Sequence, residues 1–117
     1  MEVKYVKHVA NPVESPWLDW IAEGRKTYEG RLRKGDWTKV DVGDHIRFED
    51  GDKLTVVEVI EIISYTSFGV AFNDLGASLV PIPDITREDV VNLYRKYFSD
   101  EDVRRYGVVA VGVRVVK

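Results

Sequence analysis

In the stretch GRKTYEGRLRKGDW, residues 24–37, a lysine, a glutamate and an arginine occupy positions 26, 29 and 31. In an extended strand alternate side chains share a face. Glu29 and Arg31 therefore project together with Thr27 and Arg33, neighbours on that face lying about 7 Å apart. Tyr28 and Leu32 turn toward the core, with Gly30 between them. Lys26 enters from a turn that Gly24 makes possible. An acceptor, a fork of guanidinium donors and a point cation then surround one small volume, suited to a phosphate, a nucleobase edge or a polarised carbonyl. The plainer alternative is a Glu29–Arg31 surface pair on an edge strand, with the lysines as solubilising charges.

Charge favours a confined site. Residues 24–39 hold Arg25, Lys26, Arg31, Arg33, Lys34 and Lys39 against Glu29 and Asp36, a net of +4 on a chain whose total is −3. A basic segment on an acidic body fits a local anion site better than a protein that coats nucleic acid indiscriminately. Trp37, after Lys34-Gly35-Asp36 in a loop, is a candidate stacking residue. Trp17 and Trp20 share a helical stripe with Ile21 and read first as core, Trp17 being also a candidate to face the ligand. His8 and His45 read as strand-end residues, and His8 approaches the site if the first strand borders it. Asp44 in VGDHI reads as a turn former. With no cysteine and two separated histidines, the chain excludes thiolate zinc and disulfides and speaks against a dedicated metal centre. No cofactor is expected.

The elements that must position these residues follow from periodicity. A first strand spans Glu2–Val9. Ser15 caps a helix that Pro16 opens and Gly24 ends, with Trp17, Trp20 and Ile21 on one stripe. Thr27–Arg33 is a strand. Val42-Gly43-Asp44 turns into His45–Phe48, Asp50-Gly51-Asp52 makes a second turn, and a long strand covers Leu54–Tyr65. Residues 67–83 mix a short helix with a loop closed by Pro81 and Pro83. Thr86-x-x-Asp89 is a capping box for a helix bearing Val90, Leu93, Tyr94 and Tyr97 on one face, and Ser99-x-x-Asp102 repeats the device for one short turn ending at Tyr106-Gly107. GVVAVGVRVVK supplies a last, central strand. Strand, helix, strands, helices, strand is an α+β, mainly β order, consistent with a small, partly closed β-barrel flanked by short helices, in a single domain over 1–117. No apolar run is long enough to span a bilayer, and MEVKYVKHV lacks a signal-peptide core, so a cytoplasmic protein without membrane contact is expected. Absence of Gln beside many Lys, Arg and Glu is a thermophile-like composition.

Gly24-x-Lys26-x-x-Glu29-x-Arg31 matches GxKxxExR, the signature of the ASCH (activating signal cointegrator homology) domain. His8 after a first strand, the aromatic helix before GRKT, Val42-Gly43-Asp44, LYRKYFSDEDVRRYG and GVVAVGVRV also resemble stand-alone archaeal and bacterial members. The resemblance implies a PUA-like β-barrel with a cleft beside the signature. It also implies RNA or nucleotide binding, with Lys26, Glu29 and Arg31 lining the cleft. Arg33, Trp37, Trp17 and His8 complete the candidate ligand-binding set, and Gly24 is its structural glycine.

Some small members, similar to the bacterial N4-acetylcytidine amidohydrolase, are enzymes that use a Lys, a Thr and a Glu on a modified nucleoside. Lys26 matches the lysine and Glu29 stands where the threonine would be. Asp74 and Asp84 are the acids nearest the later glutamate. The alternative function is thus a metal-independent hydrolase on a modified nucleoside, or a weak ribonuclease, with Lys26 and Glu29 as catalytic candidates. A third class is a protein-interaction module using the helices from Thr86 to Tyr106. A monomer is expected.

Overall fold

In the computed structural model, which describes residues 11–12 and 16–116, alternation along the last strand creates two cores. The elements are β1 (Asn11–Pro12), α1 (Trp17–Ala22), β2 (Tyr28–Leu32), β3 (His45–Asp50), β4 (Lys53–Tyr65), α2 (Phe68–Leu75), α3 (Arg87–Tyr94), α4 (Asp100–Tyr106) and β5 (Val108–Val115). Single 3-10 turns cover Gly35–Thr38 and Gly76–Ser78. Sheet order is β1-β3-β4-β5-β2, with β1 parallel to β3 and every other pair antiparallel. From β5, Val109, Val111 and Val113 join Ile46, Phe48, Val57 and Val59 in a barrel-side core that Leu18 and Ile21 of α1 close. Val108 packs the other way, onto Phe68, Ala71, Val90 and Tyr94 of the helical layer.

The last strand is interior, as its alternation predicts, and the hairpin turns where Gly51 takes φ +61°. A register shift between Val59 and Glu61 bulges β4. A bulge increases local twist, which helps the sheet curl over its core. Gly112 lies opposite that bulge. A Cβ there would sit 3.0 Å from Tyr28 Cε1 and 3.1 Å from Glu61 Cβ, so a larger residue would have to push both side chains aside.

Two stripes differ from expectation. In α1 the fully buried pair is Leu18 and Ile21, while Trp17 and Trp20 are half-buried and meet edge to face at 5.4 Å. A short helix lying over the barrel mouth plugs it with aliphatic residues, and the indoles lie on the rim. The helix carrying Tyr94 ends there instead of continuing to Tyr97. Tyr97 N and Phe98 N both donate to Tyr94 O at 3.0 Å, and this tighter winding leaves Tyr97 46% exposed. Phe98 takes the inward place, stacking on Phe68 at 5.4 Å. The Glu2–Val9 strand and the Ser15 cap lie outside the described residues, and α1 begins at Trp17, with Pro16 at the N-cap position and no side-chain cap from it.

The capping box of α3 is formed, with Asp89 N donating to Thr86 Oγ1 at 3.1 Å and Thr86 N donating to Asp89 Oδ2 at 3.2 Å. Ser99 caps α4 by accepting from Asp102 N at 3.1 Å. Thr86→Ala is expected to lower unfolding free energy by about 1 kcal/mol, while Thr86→Ser retains it. Urea unfolding of the two variants checks this, and equal loss in both would deny the cap its role.

Candidate functional site

The site begins where α1 stops. Gly24 takes φ +77°, a conformation that costs glycine little. The chain then folds back, and the amides of Arg25 and Lys26 both donate to Trp20 O, at 2.9 and 3.0 Å. This reversal drives the Lys26 side chain inward, where it is wholly buried. Thr27 then ties the segment to two neighbours: its amide donates to Ser78 O at 2.9 Å, and its carbonyl accepts from Val113 N at 2.8 Å.

Inside, Lys26 Nζ donates to Tyr28 O at 2.6 Å and to Leu79 O at 2.5 Å. It lies 3.8 Å from Glu29 Oε1 and 5.0 Å from the centre of the Trp17 ring. An ammonium has three donors, and two are committed to carbonyls. Burial lowers the Lys26 pKa from 10.5 to about 8, with the Glu29 carboxylate opposing that drop and the Arg31 guanidinium adding to it. The other oxygen of Glu29, Oε2, lies 3.3 Å from Arg31 Nη2. Arg31 in turn lies over Trp37, 5.0 Å from the ring centre. The chain of charges thus runs from a buried lysine through a nearly buried glutamate to a half-buried arginine under an indole.

The face opposite Glu29 also bears on the site. Tyr94 is stacked on Phe68 at 4.0 Å and lies 5.8 Å from Trp17. Its hydroxyl is buried without a hydrogen-bond partner among the described residues. A Cβ on Gly30 would come within 3.2 Å of that oxygen, so the missing side chain is what lets the phenol reach β2. Burial pushes the Tyr94 pKa well above its ordinary value, the Glu29 charge pushes it further, and Arg31 opposes. Tyr94 is therefore a neutral hydroxyl at neutral pH, left without the partner that a buried polar group normally finds.

Sequence reasoning and structure agree on the alternation of β2 but differ on what covers it. Gly30 and Leu32 face the helical layer as expected, and Glu29 and Arg31 share the opposite face. That face is not a wet surface: Glu29 is 6% exposed, with Lys26 Nζ 3.8 Å from one carboxylate oxygen and Arg31 Nη2 3.3 Å from the other. Arg33 is exposed beyond the end of the strand and stands apart from the cluster. Trp37 is half-buried against the barrel-side core, although it belongs to a short 3-10 turn. Asp44 forms the expected turn, accepting from Asp41 N at 2.8 Å. His45 is a half-buried residue at the start of β3, and His8 lies outside the described residues. The residue missed as part of the site is Tyr94, which periodicity marks only as core. The Leu79 carbonyl was missed as well, and nothing in its sequence signals it. Among the described residues, no group of three acidic or histidine side chains is placed to hold a metal, and no helix is long and apolar enough to cross a membrane.

A four-stranded antiparallel half-barrel flanked by short helices, with this charged corner at its mouth, is a PUA-like fold. The family model of the ASCH domain matches residues 12–117, and the chain belongs to that family. It is similar to the crystal structure of hypothetical protein PH0355, with 27% identity and a TM-score of 0.82 over 99% of this chain and 100% of that one. It is also similar to the solution NMR structure of protein PF0455 from Pyrococcus furiosus, with 27% identity and a TM-score of 0.73 over 100% of this chain and 99% of that one. No protein of curated function matches the chain.

The lowered pKa of Lys26 has a stability signature. Between about pH 8 and pH 10.5 the unfolded chain keeps a proton that the fold has released. Stability gained from this group therefore rises with pH across that window, by at most about 1.4 kcal/mol per pH unit, and the penalty of burying the cation is fully present below pH 8. Urea unfolding followed from neutral pH into this window, below the tyrosine titration, is expected to show that rise. Lys26→Met is expected to abolish it, and an unchanged slope in that variant would assign the titration to another group.

Proposed function

We propose that this chain is an RNA- or nucleotide-binding module whose ligand is read at Glu29 and Arg31. Membership of the ASCH domain family supports nucleic-acid or ligand binding in general terms. The observation that carries the finer reading is the Glu29–Arg31 pair on one face of β2, an acceptor beside a guanidinium that lies over the Trp37 ring. Glu29 accepts from a base amine or imine. Arg31 donates to a base carbonyl or phosphate and is held in place by Trp37. An indole supplies the flat apolar surface on which an unpaired base stacks.

Lys26 has a different role from the one its motif first suggests. With two donors bound to backbone carbonyls and its side chain closed to solvent, it is a positioning residue for Glu29 and not a phosphate ligand. The same burial disfavours hydrolysis. A pKa near 8 suits acid–base work, but the Lys26 side chain has no exposed surface and two of its three donors are held by backbone carbonyls.

Arg31→Ala and Glu29→Gln are each expected to weaken binding of a short single-stranded RNA by roughly tenfold or more, as measured by fluorescence anisotropy at low salt. Arg31→Ala also reduces the salt dependence, since one fewer counterion is released. Glu29→Gln keeps the salt dependence and loses affinity alone. Undiminished binding in both variants would place the ligand elsewhere.

A further inference from the structure

The cations beside the signature continue past Arg31. Where β2 ends, Arg33 N donates to Gly107 O at 3.0 Å, which seats the end of α4 against the end of β2. There Lys34 Nζ lies 4.9 Å from the centre of the Tyr106 ring, and the Arg105 guanidinium lies 5.2 Å from the same ring. Helix α4 carries Asp100, Glu101 and Asp102 in its first turn and Arg104 and Arg105 in its last, so the end that meets β2 is the cationic one. Arg104 also lines a cavity of about 240 Å³ between α2, α3 and α4, together with Arg87, Arg95 and the Asp100 carboxylate, over Phe68, Val91 and Phe98.

Helix electrostatics account for part of this arrangement only. Arg104 and Arg105 sit where the macrodipole favours cations. Arg87 is the first residue of α3, where the dipole disfavours one. Its guanidinium lies over Gly69, so closely that a Cβ there would be 2.7 Å from Nε. Arg95 is held by Asp100 and Asn92. Among the described residues no carboxylate pairs with Lys34, Arg87, Arg104 or Arg105. Lys34 and Arg105 are placed by an aromatic ring instead, which fixes a cation without neutralising it. On a chain of net charge −3, Lys34, Arg87 and Arg105 stand outside any ion pair among the described residues, while Arg104 shares the field of Asp100, which is itself paired with Arg95.

We infer that the strip from Lys34 and Arg105 to Arg104 and Arg87 binds successive phosphates of a single RNA strand whose base is held at Glu29 and Arg31. The inference rests on the nucleic-acid reading above and extends it along β2 and α4. The cavity at the end of the strip is smaller than the roughly 300–1,000 Å³ of small-molecule pockets. It takes one group of a neighbouring nucleotide, not a whole ligand. Its arginine rim and aromatic floor suit a ring that carries a phosphate.

The test compares two ligands on one variant, Lys34→Ala/Arg104→Ala/Arg105→Ala, which alters exposed side chains only. A trinucleotide, followed by chemical shift, occupies the cleft. A single-stranded RNA of roughly twelve nucleotides also reaches the strip, and its salt slope should fall by about 0.7 for each phosphate contact removed. The expected result is at least a tenfold loss of affinity for the longer RNA with trinucleotide binding unchanged. Undiminished binding of the longer RNA, with the trinucleotide still bound, overturns the strip and leaves the cleft reading standing. Equal loss for both ligands also overturns the strip, as does polyglutamate competing as well as RNA. Failure of the unsubstituted protein to bind either oligonucleotide overturns both readings.

Discussion

The buried ammonium of Lys26 is the constraint around which the mouth of the half-barrel is arranged. A charge removed from water is tolerated only when polar partners surround it. Here those partners come from separate parts of the chain: the Tyr28 carbonyl on β2, the Leu79 carbonyl after the 3-10 turn, and the Glu29 carboxylate. One lysine thus ties the end of α1, the start of β2 and the segment that follows α2. Trp17 closes the site from above and packs against both cores. The arrangement also fixes the glutamate. One Glu29 oxygen faces Lys26 while the other faces Arg31, so the carboxylate cannot rotate without giving up a partner.

How much of this was legible varied with the range of the interaction. Gly24 as the end of a helix, the alternation that sets Glu29 beside Arg31, the hairpin glycine at position 51 and the Thr86 capping box are local signals, and each appears in the structure. Burial was not local. Strand alternation separates the faces of β2 but cannot tell which is buried, and here Gly30 and Leu32 are buried on one face and Glu29 on the other. The lysine of a basic stretch reads as solvated until the backbone carbonyls that receive it are known. Tyr94 reads as one more apolar position in a helix stripe. That its hydroxyl reaches β2 depends on the absence of a side chain at Gly30, a relation across 64 positions of chain that periodicity does not report.

The same division clarifies the basic stretch itself. Lys26 belongs to the interior and serves the fold. Glu29 is nearly buried and Arg31 half-buried, so the pair stands between the core and the exposed charges that follow it in the chain. Arg33 and Lys34 are surface charges, and contact with the end of α4 joins Lys34 to a second set of arginines that lies far away in sequence. A net acidic chain can in this way present a narrow cationic surface without binding polyanions over its whole exterior.

The most direct test is a two-dimensional amide and indole spectrum recorded while a short single-stranded RNA is added at low salt. The account predicts that the Gly30 and Arg31 amides and the Trp37 indole shift together with one saturating affinity, while the Gly51 turn at the far end of the β3–β4 hairpin stays still. Shifts confined to the hairpin, or absent from Gly30 through Arg31 at saturation, would contradict it.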